Sequence, residues 1–320
     1  MCGTGRVLVT GAGGFLGRPL CALLKEQGYQ VHAVDILRSD GPWDELRVID
    51  LTRPGACDGL CDGVEAVFHL AAKTHAVDDS RNAELDYQVL NVDLTRDLVG
   101  AAVGARVGRF VMMSSVKVMG EGGFEPLDET ASPQPDSAYG QTKWEAECLV
   151  HAAGAEHGLH TAVLRAPLIY GPGVKGNLRS LIAAIQRRRF PPLPDTGNRR
   201  SLVDVRDVVR ALALVAFSPE AAGKTFLVTD GHWYSTHEMY QLIRAALGQG
   251  PSRWHVPDGA LKTAAVLGYG IRKMGLPFPF DRTVYHKMLG SACYSSRALE
   301  EELGFRPEYT LDKSLPGMII

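Results

Sequence analysis

Tyr139 and Lys143 stand four positions apart in YGQTKWEAE, residues 139–147, at the start of a run with helical period. That spacing puts a phenol and an ammonium on one helix face, a turn apart. Two readings stay open at this level: a packed phenol beside a solvated cation, or a phenol whose proton is meant to move. The second needs a phenolate near neutral pH, which takes the tyrosine pKa down from about 10 by ~3 units, or ~4 kcal/mol. A cation about 4 Å away at an effective dielectric of ~20 supplies roughly that much. Ser115, at the end of the apolar run RFVMMS, adds a hydroxyl that can hydrogen-bond a reacting oxygen and complete a relay.

A second set of residues handles phosphate. TGAGGFLG, residues 10–17, places Gly11, Gly14 and Gly17 between a strand-like run and a helix-like one. Glycines there permit a tight turn and let backbone amides approach a pyrophosphate at the helix N-terminus. A glycine-rich turn also arises for structural reasons alone, so context decides. Asp35 ends the next strand-like run 18 residues after Gly17, where a carboxylate can accept both hydroxyls of an adenine ribose. It favours NAD; Arg38 nearby would soften the repulsion of a 2′-phosphate, so NADP stays open. Asp50, closing VID (48–50), either meets the adenine amino group or is a turn aspartate.

Alternating elements must carry these groups. RVLVT (6–10), QVHAV (30–34), AVFHL (66–70), RFVMMS (109–114) and TAVLR (161–165) are short, apolar and bounded by turn residues, which predicts strands. FLGRPLCALLKEQG, LDYQVLNVDLTRDLVGAAVGA and SAYGQTKWEAECLVHAAGAEHG between them predict helices. Beyond Gly171 the alternation loosens, with VDVRDVVRALALVAF as one more helix and FLVTD (226–230) as a late strand. The class is therefore α/β: a doubly wound parallel (Rossmann) sheet with a smaller C-terminal substrate-binding lobe. The expected division is 1–170 plus about 203–232 for the sheet domain, and about 171–202 plus 233–320 for the lobe.

Composition bounds the function. With 45% hydrophobic and 22% charged residues among 320, the chain suits a large globular core. A formal charge of -2 gives no overall field to gather nucleic acid or anionic lipid, so any anionic ligand must be held locally. No 18-residue apolar run occurs, and the chain enters a strand-like run at once without a targeting pattern; the expectation is a cytoplasmic protein with no membrane span. The six cysteines, Cys2, Cys21, Cys57, Cys61, Cys148 and Cys293, form no CxxC pair, which points to reduced thiols and no metal site.

TGAGGFLG, HLAA (69–72), NVDLT (91–95), SSVKVMG (114–120), YGQTK (139–143) and YGPG (170–173) occur in the order found in the extended short-chain dehydrogenase/reductases. The chain resembles their NAD-dependent epimerase/dehydratase branch over nearly its whole length, and within it the UDP-sugar 4-epimerases and 4-ketosugar reductases. The resemblance implies a triad of Ser115, Tyr139 and Lys143 that moves a proton while a hydride passes between a carbinol carbon and NAD. It implies that NAD lies against Gly11, Gly13, Gly14, Phe15, Leu16 and Gly17, against Asp35, Asp50 and Leu51, and against Leu70, Ala71, Ala72, Asn91 and Pro167, with Tyr139 and Lys143 at the nicotinamide ribose. Asn177, Leu178 and Arg200 match positions that hold a nucleotide-sugar diphosphate, and Lys117 is either a substrate contact or a solvated side chain. The expected partners are a nucleotide-sugar substrate and a second copy of the chain: relatives dimerise through helices matching about 83–103 and 138–155, where Leu85, Val89, Val92 and Leu98 form an apolar stripe that core burial also explains.

His69 reads as a satisfied core histidine, and Arg187 to Arg189 as a solvated helix end. Two positions depart from the 4-epimerase pattern: Leu168 stands in place of an asparagine, and Met119 in place of a tyrosine. Both leave the cofactor chemistry intact and put the sugar and the epimerase assignment in doubt. Sugar 4,6-dehydratases follow the catalytic hydroxyl with an Asp-Glu pair, whereas this chain has Val116 and Lys117. Three classes remain: a 4-epimerase, a one-way 4-ketosugar reductase, and a non-catalytic dinucleotide sensor on the same fold. The intact triad counts against the third.

Overall fold

A computed structural model describes residues 5–74, 81–252, 254–274 and 280–319. Strands β1 (Arg6–Thr10), β2 (Gln30–Asp35), β3 (Glu45–Val48), β4 (Ala66–His69), β5 (Arg109–Ser115), β6 (His160–Ala166) and β9 (Lys224–Leu227) form one sheet in the order β3-β2-β1-β4-β5-β6-β9. Every pairing in it is parallel. A parallel sheet is covered on both faces, so its strands read as continuous apolar runs with no polar alternation. Alternate residues accordingly feed two cores. Val7, Val9, Phe68, Val111 and Leu164 meet helices α1 (Gly17–Glu26) and α6 (Val205–Phe217) on one face. Leu8, Val67, Phe110, Met112 and Val163 meet α3 (Leu94–Gly104) and α4 (Ala138–His157) on the other.

The strand order reverses between β1 and β4, which opens a crevice at their C-terminal ends. Thr10 with the glycine turn, and His69 with the HLAA segment, lie on its two sides. The sequence places the strands within a residue or two, except the third, which closes at Val48 so that Asp50 falls in the following turn, and the late strand expected at 226–230, which runs Lys224–Leu227. Helix α2 (Arg81–Tyr87) runs into α3 through a π-helical turn, Gln88–Asp93, that carries Asn91.

A second sheet pairs β7 (Leu168–Tyr170) parallel to β8 (Arg200–Asp204), and β10 (Trp233–Tyr234) antiparallel to β8. Its core is separate: Tyr170, Leu178, Ile182, Leu202, Tyr234 and Met239 pack with Leu311 and Leu315 from the C-terminal segment. Helices α5 (Gly176–Gln186), α7 (Thr236–Ala246), α8 (Asp258–Lys273), α9 (Arg282–Leu289) and the short α11 (Leu311–Ser314) belong to this half of the chain. Helix α10 (Arg297–Leu303) returns to the first sheet, where Leu299 and Phe305 are buried. Among the described residues Cys21, Cys57, Cys61, Cys148 and Cys293 are free thiols; Cys2 lies outside them. No described helix is long and apolar enough to cross a membrane.

Candidate active site

Helix α4 starts at a fixed point. The Ser137 hydroxyl accepts from the Gly140 amide at 3.2 Å, and Gly158 ends the helix in the left-handed conformation. Tyr139 therefore sits in the first turn and Lys143 in the second. A Cβ on Gly140 would lie 2.3 Å from the Lys117 carbonyl oxygen, so only glycine lets α4 press its first turn onto the 3₁₀ turn Val116–Met119. That turn is capped by Ser115, whose hydroxyl accepts from the Lys117 amide at 3.3 Å. Backbone-to-backbone contact thus brings Ser115 to Tyr139.

Burial pushes the Tyr139 phenol up to about 12; the Ser115 hydroxyl works against that and the neighbouring Tyr87 phenol adds to it. The Tyr139 and Tyr87 rings pack with centroids 5.9 Å apart. The expectation that Lys143 alone brings the phenol near neutrality is not met. Taking a phenolate out of water costs more than the Ser115 hydrogen bond returns. Lys143 is itself 2% exposed, and burial lowers it to about 8 against the pull of Glu147.

His69 lies beneath this pair. Its Nδ1 accepts from Thr10 Oγ1 at 2.9 Å, and its Nε2 donates to Thr95 Oγ1 at 3.0 Å, which donates in turn to the Asn91 carbonyl at 2.6 Å. Thr10 Oγ1 also accepts the amides of Leu70 and Ala71, each at 3.2 Å. Burial and the Lys143 charge hold the imidazole down to about 3, so it stays neutral and structural. Asn91 is 1% exposed; its side chain takes the Lys73 amide at 2.9 Å and donates to Thr142 Oγ1 at 3.1 Å. It pins the segment after HLAA to the residue before Lys143.

The glycine turn is built for close approach. Gly11 has φ 67°, and a Cβ there would lie 3.0 Å from the Ala71 amide nitrogen. A Cβ on Gly17 would lie 2.3 Å from the Gly11 carbonyl oxygen. Asp35 accepts from the Gly13 amide at 2.9 Å, and from the Leu37 amide at 3.1 Å, which ties the acidic strand end to the turn. Beside them the Ser39 hydroxyl is buried with no partner among the described residues. A bare glycine cradle with a carboxylate and an orphaned hydroxyl at its edge fits a dinucleotide's ribose and pyrophosphate.

Other expected contacts differ in standing. Phe15 packs toward the smaller lobe's core, Leu16 against the main core, and Leu51 is buried. The Asp50 carboxylate accepts from the amide and hydroxyl of Thr52, which holds it below the usual carboxylate range and gives it a turn-forming job. Ala72 and Pro167 are half-buried. Asn177 is exposed in the first turn of α5, while the Leu178 side chain points into the lobe's core at 2% exposure. Lys117 pairs with Glu121 at 2.7 Å on the surface. Arg200 donates through Nη1 to the carbonyls of Lys287 and Gly290, forms no ion pair among the described residues, and leaves the rest of its fork uncommitted. Met119 is buried with Val116, Leu227 and Tyr294.

Sequence reasoning missed Gly140 and the cluster deeper along α4. Glu147 is fully buried and held by Arg165, through Nε to Oε1 at 3.0 Å and Nη2 to Oε2 at 2.6 Å, and by the Ser114 hydroxyl. The signal was available: Tyr139, Lys143 and Glu147 repeat every four residues.

Comparison with known proteins bears on this arrangement. The model of the NAD dependent epimerase/dehydratase family matches residues 7–228. The chain is similar to a UDP-glucose 4-epimerase of Vibrio cholerae, 30% identical over 96% of this chain and 92% of the relative. It is also similar to a dTDP-glucose 4,6-dehydratase of Streptomyces niveus, 31% identical over 79% and 81%. Among solved structures, MoeE5 in complex with UDP-glucuronic acid and NAD superposes with a TM-score of 0.79 at 29% identity, covering 98% of each chain.

Proposed function

The chain belongs to the NAD-dependent epimerase/dehydratase family, and from that footing we propose that it works at C4 of a nucleotide sugar, with UDP as the nucleotide, as a 4-epimerase. The observation that supports this is the Ser115 hydroxyl hydrogen-bonded to the Tyr139 phenol, with Lys143 buried one turn further along α4 and Val116 next to the serine. When bound, NAD supplies the hydride acceptor and, oxidised, a positive charge beside the phenol. Tyr139 takes the C4 hydroxyl proton and later returns it to the 4-keto oxygen. Ser115 holds that oxygen. Lys143 holds the cofactor ribose and favours the phenolate through its charge. Residues 1–170 plus about 203–232 would carry the cofactor, and about 171–202 plus 233–320 the sugar nucleotide.

Arg200 supports the substrate assignment. Its uncommitted N–H groups suit a diphosphate oxygen, and the half-buried guanidinium feels the Glu121 carboxylate only from beyond ion-pair distance, so a diphosphate would add the close counter-charge it lacks. The dehydratase relationship bears on the outcome at C6. Eliminating water across C5 and C6 needs an acid and a base beside the triad. Val116 can be neither, and Lys117 is engaged by Glu121. Incubation with NAD and UDP-glucose, UDP-glucuronate or UDP-N-acetylglucosamine, followed by NMR of the products, is expected to give the C4 epimer of one of them and no 4-keto-6-deoxy sugar. Formation of a 4-keto-6-deoxy product would overturn the reading. Reduction of a supplied 4-keto sugar by NADH or NADPH, with no epimer formed, would replace it with the reductase.

The protein is further proposed to form a homodimer through about 83–103 and 138–155, which are α2, its π turn, α3 and most of α4. The expected stripe divides: Val92 and Leu98 are buried in the sheet's core, whereas Leu85 and Val89 are 64% and 39% exposed. Two exposed apolar side chains on the helix pair that relatives use for dimerisation favour a covering partner. Light scattering at micromolar concentration should report twice the chain mass; a monomer there would refute the assignment.

A further inference from the structure

We propose that Arg165 is a positioning residue that keeps Glu147 from capturing Lys143, which leaves the Lys143 charge to the phenol. The inference rests on Tyr139 and Lys143 being a proton-transfer couple. Glu147 and Lys143 are one turn apart on α4, and both are buried, at 0% and 2% exposure. Opposite charges at that spacing ordinarily pair, the more so out of water. Here they do not: among the described residues Lys143 forms no ion pair, and Glu147 is paired with Arg165.

The register explains why. Ser114 on β5 and Arg165 on β6 are neighbours in the sheet, so their side chains emerge together beneath α4. Arg165 engages both carboxylate oxygens, and the Ser114 hydroxyl takes one of them again. The carboxylate is thereby drawn down onto the sheet. The other groups facing Lys143 cannot neutralise it. His69 on β4 is uncharged, with both ring nitrogens bonded to threonines, and Tyr139 is a protonated phenol. Within this buried layer Arg165 and Lys143 are cationic and Glu147 is the only anion among these groups. A net positive charge is left at the Lys143 end of the layer, one helical turn from Tyr139.

Without the guanidinium, a stranded carboxylate would find Lys143 as its nearest cation. The ammonium would turn away from Tyr139, and its charge would be cancelled. An adjacent carboxylate also raises a lysine's pKa, so the alkaline limb set by Lys143 would move up.

The test uses Arg165→Met and the double variant Arg165→Met/Glu147→Gln. Arg165→Met is expected to lose kcat by ~10-fold or more near neutral pH. KM for the nucleotide sugar should stay within about threefold. The alkaline limb should rise by about one pH unit. The double variant should recover most of kcat and the original limb. Calorimetric NAD binding against pH gives a readout independent of turnover: its alkaline limb should shift in the single variant and return in the double. A single variant with unchanged kcat and limb, or a double variant as impaired as the single, overturns the proposal. Should Arg165→Met fail to fold, the double variant adds no unpaired charge beyond the one Lys143 already carries and bears the test by itself; an altered NAD-binding limb in it would be fatal. Absence of turnover on any sugar in the parent protein would remove the proposed function, yet the NAD-binding limbs would still decide the role of Arg165.

Discussion

Tyr139→Phe is expected to cost a factor of about 10² or more in kcat while leaving NAD affinity within about threefold. Phenylalanine keeps the ring that packs against Tyr87 and removes the hydroxyl alone. The other groups assigned to the cofactor are untouched: the glycine turn, Asp35 and Lys143 depend on backbone geometry and on other side chains. The phenol sits at about 12 in the free protein, so its loss removes an acid that is fully protonated at neutral pH. With it goes the hydroxyl assigned to carry the proton of the reacting oxygen. The measurement pairs steady-state kcat at saturating substrate with cofactor titration by tryptophan fluorescence. Turnover at the parent rate would show that the proton moves through another group.

Lys143→Met should separate stability from activity. Methionine has about the length of the lysine stem and no charge to desolvate. The folded protein holds Lys143 at about 8, below the 10.5 of an exposed lysine, so the fold disfavours the protonated form. The unfolded chain binds the proton more tightly, and the penalty is present in full below about pH 8. It fades as pH rises from about 8 to 10.5, where the folded lysine has already lost its proton. Removing the charge should therefore stabilise the protein at pH 7 by about 3 kcal/mol at most, a gain that shrinks towards pH 10.5. Activity should fall by ~10²-fold or more, and NAD binding should weaken, because the ammonium serves both. Denaturant melts of parent and variant at pH 7 and pH 10 check the sign. A variant less stable at pH 7 would mean that the ammonium has a partner that repays its burial.

The main sheet and its cofactor crevice were legible in the sequence for a local reason. Parallel strands buried on both faces must be short apolar runs, and RVLVT, RFVMMS and TAVLR are such runs, so their order fixed a doubly wound sheet. The glycine turn was legible because Gly11 and Gly17 meet conformational and steric demands within a few residues of themselves. Tyr139 and Lys143 were legible because a helix turns fixed spacing into shared direction. The small second sheet was not, since β7 and β10 are only three and two residues long and their partner β8 runs directly into α6. Asp50 looked like a strand end until β3 closed at Val48. Charge placement was decided by the tertiary structure alone. The sequence supplied Lys143, Glu147 and Arg165, with no indication of which acid would pair with which base. Strand register put Arg165 beside Ser114 under Glu147, and burial made that one pairing strong, while leaving Lys143 without an ion pair among the described residues and Tyr139 protonated. Spacing along a chain sets which groups can meet; the local dielectric and the neighbours across the sheet set their protonation, and those exist only once the fold has closed.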